Sequence, residues 1–225
     1  MEWVSGKDSR WLAMHLGRAG QNEALVRPDS RKWMVMSELT IDFITSLDGY
    51  ASAEGWPGWW GLEGPEYLDW LGRQPEHTIL MGARTYRLMS GFAAQNAEGV
   101  DQLNAYRKIV FSSTLEEPLE WANASVVRGD PVEAVRALKA ESDQPLATLG
   151  SLQLCRSLLT AGVVDRFRVG VFPVITGKTG SERIYDGYPD VSLDLVESHV
   201  FDGRILMLEY IPKVLTGPQG TATSG

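Results

Sequence analysis

Hydrophobic and polar positions along the chain change period repeatedly, and each change marks an element. Leu39 to Thr45 is a β-rich run that stops at Asp48-Gly49, a pair suited to a tight turn, so the first strand is expected there. Pro65 to Gly72 carries Tyr67, Leu68 and Leu71 at helical spacing, with Pro65 in the first turn, where its missing N–H costs nothing. Thr78 to Met81 reads as a short strand, and Thr85 to Met89 as a helix opening just after it. Strands are then expected at Lys108 to Ser112 and, more weakly, at Ser125 to Arg128. A helix follows from Pro131 to Ala140, a strand at Leu146 to Leu149, a helix from Leu152 to Ala161 and a strand from Asp165 to Pro173. Val191 to Phe201 and Ile205 to Ile211 flank Asp202-Gly203, a hairpin signal. Strands alternating with helices predict a three-layer α/β/α fold around a mixed, mostly parallel sheet that closes in a C-terminal antiparallel hairpin.

A length of 225 residues suits one domain. With 44% hydrophobic and 22% charged residues, the chain has the make-up of a soluble globular protein. Its 21 basic against 29 acidic residues leave a net charge of −8, which repels a phosphate backbone and speaks against nucleic acid as a partner. No long apolar run and no N-terminal apolar h-region occur, so no membrane is expected and a cytoplasmic location is. The lone Cys155 excludes a disulfide within the chain and a multi-cysteine zinc cluster. His15, His77 and His199 lie too far apart to suggest a metal site. Composition breaks near Met36: residues 1–36 hold six Lys/Arg against four acids, while the remainder carries −10. The expected organisation is a loosely ordered extension over residues 1–36, a domain over 37–213, and a flexible tail over 214–225.

Several chemistries are missing. No GxGxxG occurs, and the glycines at 55, 58, 61 and 64 suit a loop. The stretch from Phe172 to Thr179 ends like a P-loop, but Phe172 stands where the first glycine would be needed. A zinc deaminase needs more than one cysteine. What is present is a series of strand-to-helix junctions. In Met81-Gly82-Ala83-Arg84-Thr85-Tyr86 a glycine ends a strand, and a cation and a hydroxyl follow at a helix N-terminus, which favours an anion. Leu149-Gly150-Ser151 repeats the arrangement, and Ser112-Ser113 closes a third strand with two hydroxyls.

These junctions, in this order, resemble the dihydrofolate reductase-like superfamily, most closely the C-terminal reductase domain of the riboflavin-biosynthesis deaminase-reductase. The resemblance rests on Ser46-Leu47-Asp48-Gly49, Met81-Gly82-x-x-Thr85-Tyr86, Ile109 to Ser113, Leu149-Gly150-Ser151, and Leu159-x-x-Ala161-Gly162-Val163-Val164-Asp165, and spans residues 37 to 213. It implies NADPH as cofactor, with Gly82, Arg84 and Thr85 at its phosphates from one helix start. Gly150, Ser151 and Leu152 would meet them from another, and Ser112 and Ser113 would face the adenosine 2′-phosphate. Relatives also imply a homodimer. Two departures stand out: Ala83 occupies the place where relatives usually carry arginine, and Ser151 replaces the second of a glycine pair.

On the substrate side, Trp56, Trp59, Trp60 and Trp70 cluster between the first strand and the end of the following helix. They either wall a flat ring beside the nicotinamide or fold onto the body as a plug. Asp48 either orients substrate or ribose, as the resemblance implies, or is the Asp of a turn. Glu66 lies 16 positions before Gly82, where folate reductases keep a carboxylate, and is the candidate acid, with Asp69 as second choice. The opposing reading makes Glu66 a helix-end charge. The resulting expectation is an NADPH-dependent reductase of a small heteroaromatic or carbonyl substrate. Its alternatives are a true dihydrofolate reductase and a non-catalytic nucleotide-binding protein that keeps the fold.

Overall fold

A computed structural model describes residues 37–55, 60–95 and 101–217, with only the backbone of residues 101 and 102. The expected extension over residues 1–36, Trp56, Trp59 and the last eight residues lie outside the described residues.

Along the chain come β1 (Leu39–Ser46), β2 (Tyr50–Ala53), α1 (Pro65–Gly72), β3 (Thr78–Gly82), α2 (Ala83–Ala94), α3 (Asp101–Ala105), β4 (Lys108–Phe111) and β5 (Ala124–Val127). After these follow α4 (Pro131–Glu141), β6 (Leu146–Thr148), α5 (Leu152–Thr160), β7 (Arg166–Phe172), a 3-10 turn at Gly177–Thr179, β8 (Gly180–Arg183), β9 (Val191–Phe201) and β10 (Ile205–Val214). Eight strands form one sheet in the order β5-β4-β3-β6-β1-β7-β10-β9. β10 runs antiparallel to both β7 and β9, and the other neighbours are parallel. Asp202 and Gly203, both with positive φ (51° and 64°), make the hairpin turn, as a type I′ turn requires.

Alternation along the strands builds the layers. Leu39, Ile41, Phe43 and Leu80 point to the face that α4 and α5 cover with Val135, Leu154, Leu158 and Leu159. On the opposite face, Ile79, Met81 and Val110 meet Tyr86 and Met89 of α2. Phe172, Ile205 and Met207 meet Tyr67, with Trp70 partly buried beside them, on the same side of the sheet. β3 is buried on both faces, as the unbroken apolar run Thr78-Ile-Leu-Met81 requires of a central parallel strand.

Besides α3 and the 3-10 turn, two strands are absent from the expected pattern. β2 and β8 pair as a separate two-stranded ribbon, with Tyr50 opposite Arg183 and Ser52 opposite Ser181. Neither shows the apolar alternation of a half-buried strand. At the other end of the sheet, β10 runs through Val214, and Leu215 N–H donates to the Asp190 carbonyl at 2.8 Å.

Register decides where the site falls. Leu80 pairs with Thr148, Gly82 with Phe111, and Phe111 with Val127, so β6, β3, β4 and β5 all end along one edge. The loops carrying Gly150, Gly82, Ser112 and Arg128 leave the sheet side by side at that edge. In open α/β sheets, ligands bind at the carboxyl ends of the strands.

Candidate active site at the carboxyl edge of the sheet

Two of these loops close on each other. Gly82 ends β3 and opens α2 in extended conformation with no side chain to cap the helix. Between β6 and α5, Gly150 (φ 56°) and Ser151 (φ 67°) are both left-handed, which turns the Ser151 hydroxyl across to α2. Ser151 Oγ accepts from Gly82 N–H at 2.6 Å and shares a hydrogen bond with Thr85 Oγ1 at 2.8 Å. A Cβ on Gly82 would lie 3.2 Å from Ser151 Oγ, and one on Gly150 would lie 3.5 Å from Thr85 Oγ1. The serine that departs from a glycine pair is therefore the tie between the two junctions. Holding a non-glycine residue left-handed costs about 1–2 kcal/mol, which these hydrogen bonds offset. Leu152, first in α5, packs partly against the core under this loop.

Cys155 secures the same loop from below. Its thiol lies 3.2 Å from the Gly150 carbonyl and 3.5 Å from Thr148 Oγ1, and burial pushes it up to about 12. It is a protonated packing group at neutral pH.

Arg84, exposed on the first turn of α2, forms an ion pair with Glu182 of β8. Glu182 is itself left-handed, with φ 62°. The ribbon thus delivers a carboxylate to the helix end expected to meet an anion. At the end of β4, Ser112 Oγ accepts from the amides of Thr114 and Leu115 at 3.1 and 3.0 Å, which makes it the pivot of a turn, while Ser113 is exposed. Arg128, just past β5, donates to the carbonyls of Ser113 at 3.0 Å and Leu115 at 2.8 Å.

Asp48 is more than the Asp of a turn. Its carboxylate accepts from Ser46 Oγ at 2.6 Å, from Thr176 N–H at 3.2 Å and from Gly177 N–H at 2.8 Å. The Ser46 hydroxyl, followed by these amides, holds it down to about 2. The P-loop-like stretch does bind an anion with its backbone, and that anion is the chain's own Asp48. Asp48 thereby fixes the loop after β7 against the turn after β1.

Glu66 requires a correction. Its carboxylate accepts from Asp202 N–H at 2.6 Å, while the Asp202 carboxylate accepts from the amides of Glu66 at 3.0 Å and Tyr67 at 3.2 Å. Glu66 is exposed at the start of α1 and engaged with the β9–β10 turn, so its geometry is that of a helix-end group and not of a buried proton relay. Asp69 points to Arg73 on the same exposed helix face. Trp60 also departs from the expected pocket wall: it is 1% exposed and packs in the core with Tyr67, Phe172 and Met207. Trp70 packs beside it, against Tyr67 and Phe201, with the Arg168 guanidinium over its ring. These two indoles follow the plug alternative.

Sequence reasoning missed Thr176, Gly177, Glu182, Asp202 and Arg128. Asp202 had a signal as the Asp of a hairpin pair, and Gly177 as part of Thr-Gly-Lys-Thr. Glu182 and Arg128 had none, because their partners lie far away in sequence.

The sheet order, the helices on both faces and the loops gathered at one strand edge define a dihydrofolate reductase-like α/β protein. Residues 37–207 match the family model for the RibD C-terminal domain, and the chain belongs to that family. Among curated proteins it is similar to the uncharacterized protein YyaP of Bacillus subtilis, at 23% identity over 181 residues, 76% of this chain and 93% of that one. Among solved structures it is similar to the diaminohydroxyphosphoribosylaminopyrimidine deaminase/5-amino-6-(5-phosphoribosylamino)uracil reductase of Thermotoga maritima. There the TM-score is 0.59 at 15% identity, covering 79% of this chain and 57% of that chain. Dihydrofolate reductase from Enterococcus faecalis, complexed with NADP(H), matches with a TM-score of 0.53 at 14% identity, over 78% of this chain and 96% of that one. The expected superfamily, and its branch near the riboflavin-pathway reductase, are both borne out.

Proposed function

We propose that the protein is an NADPH-dependent reductase that delivers hydride to a small heteroaromatic or carbonyl substrate, in the manner of riboflavin-pathway reductases. The observation that carries this reading is the closure of the Gly82–Thr85 junction on Gly150-Ser151 at 2.6 and 2.8 Å, at the aligned ends of β3 and β6. The uncapped start of the 12-residue helix α2, beside the left-handed Gly150-Ser151 turn, offers backbone N–H groups that a pyrophosphate can approach. The residues therefore fit the cofactor. When bound, NADPH supplies the hydride, and the protein supplies orientation and electrostatics.

In this reading Gly82, Arg84, Thr85, Gly150, Ser151 and Leu152 hold the diphosphate, and Ser112 and Ser113 face the adenosine 2′-phosphate. Asp48 acts by positioning the loop around Thr176 and Gly177 that borders the substrate side. With Glu66 taken up at a helix end, the proton that accompanies hydride comes from water or substrate.

Purified protein should quench on titration with NADPH and should consume NADPH with at least one member of a panel of pterins, pyrimidinones and quinones. Binding without consumption across the panel would leave the non-catalytic nucleotide-binding alternative. The engagement of the Glu66 carboxylate with Asp202 N–H at 2.6 Å, which takes the candidate acid out of the reaction, is the observation favouring that second reading.

The protein is read as a cytoplasmic homodimer. β9 is an 11-residue edge strand, with Leu195 at 57% and Val200 at 63% exposure. Such an edge is ordinarily covered or blunted, and a second copy would cover it. Sedimentation of wild type against Leu195→Lys tests this contact.

A further inference from the structure

We infer that Arg128 is the residue that selects the 2′-phosphorylated cofactor, an inference that rests on the NADPH reading above and adds to it a cation absent from the expected set. A 2′-phosphate carries about −1.5 to −2 charge near neutral pH, and hydroxyls alone do not balance it. Ser112 and Ser113 are neutral, and the Ser112 oxygen already accepts two amides of its own turn. Arg84 stands at the start of α2, where this reading places the diphosphate.

Arg128 is placed by register. Phe111 pairs with Val127, and Ser112 N–H donates to the Val127 carbonyl at 3.2 Å, so the residues after the two strands leave the sheet together. The guanidinium spans the Ser113 and Leu115 carbonyls at 3.0 and 2.8 Å, which fixes it on the serine turn. Those bonds use one N–H on each terminal nitrogen, and the rest of the fork stays on an exposed residue. Among the described residues no carboxylate forms an ion pair with it, and Glu117 and Asp130 serve the amides of Val126 and Val132, each at 2.8 Å. A planar guanidinium fixed on the carbonyls of the turn that carries Ser112 and Ser113 suits recognition of a phosphate monoester.

The test titrates the full chain and its Arg128→Gln and Arg128→Ala variants with 2′,5′-ADP and with ADP. Glutamine can keep a donor to the carbonyls without the charge, so it separates recognition from loop support. Wild type should bind 2′,5′-ADP about tenfold more tightly than ADP, which corresponds to about 1.4 kcal/mol. Both variants should bring 2′,5′-ADP down to the affinity of ADP while ADP itself shifts less than about twofold, and Arg128→Lys should recover part of the preference. Equal loss for both ligands would show that Arg128 only supports the turn, and an unchanged preference would show that the 2′-phosphate lies elsewhere. Either result overturns the inference while leaving the cofactor reading intact. A wild type that binds neither nucleotide overturns both.

Discussion

Glu66 and Asp202, 136 positions apart, cap each other: each carboxylate accepts the other residue's backbone N–H, at 2.6 and 3.0 Å. The pair ties the start of α1 to the β9–β10 hairpin turn. It also accounts for Gly64, because a Cβ there would overlap the Asp202 carboxylate.

Asp202→Ala should therefore act as the loss of a helix cap, costing about 1 kcal/mol, read as a lower urea midpoint with an unchanged slope. Glu66→Gln, which keeps a neutral acceptor, should cost less and leave turnover at the wild-type level. Slowed turnover with unchanged stability would return Glu66 to the reaction.

The contrast between Glu66 and Gly82 shows what the sequence made legible. Gly82, Thr85 and Gly150 were readable because a glycine at a strand end followed by a helix start is a local signal, and register then brings such ends to one edge. Glu66 was readable as a helix-start acid but not in its partner, since nothing near it in sequence marks Asp202. Trp60 illustrates the same limit: its aromatic character is equally compatible with a pocket wall and a core plug, and packing on Phe172 and Met207 decides for the plug. β2 and β8 were illegible because their pairing is satisfied by backbone and by Ser52 with Ser181, without an apolar stripe.

Ser151 offers a test of strain against hydrogen bonding. Its φ of 67° suits glycine, while its hydroxyl serves Gly82 and Thr85. Ser151→Ala loses the hydroxyl and keeps the strain; Ser151→Gly loses the hydroxyl and relieves it. The glycine variant should be the more stable of the two by about 1 kcal/mol in chemical denaturation. Equal stabilities would mean that the left-handed turn is not held in solution.

Asp48 predicts a pH dependence on the acid side. Its carboxyl is held down to about 2, chiefly by the Ser46 hydroxyl, against an ordinary value of 3.8. A lowered folded-state value means that the stabilisation is present in full above the ordinary range and is lost as pH falls through about 2. Asp48→Asn should therefore lower the melting temperature at pH 7, and the gap to wild type should shrink as pH falls from about 5 towards 2. A gap that stays constant over that range would show that the charge of Asp48 contributes nothing to fixing the loop at Thr176 and Gly177.

The Arg84–Glu182 pair sets an internal competitor at the proposed diphosphate site. A bound phosphate must share or displace the Glu182 carboxylate, since both anions seek the same guanidinium. Both side chains are at least partly exposed, at 87% for Arg84 and 32% for Glu182, so the pair is weak and easily exchanged. Glu182→Gln should tighten NADPH binding a few-fold, more at low salt than at high salt, because salt already screens the competing charge in wild type. Arg84→Ala should weaken binding and abolish the benefit of Glu182→Gln in the double variant, the non-additivity expected of two residues in contact. If the two substitutions add independently, Arg84 does not touch the cofactor, and its bond to Glu182 serves only to dock the β2–β8 ribbon on α2.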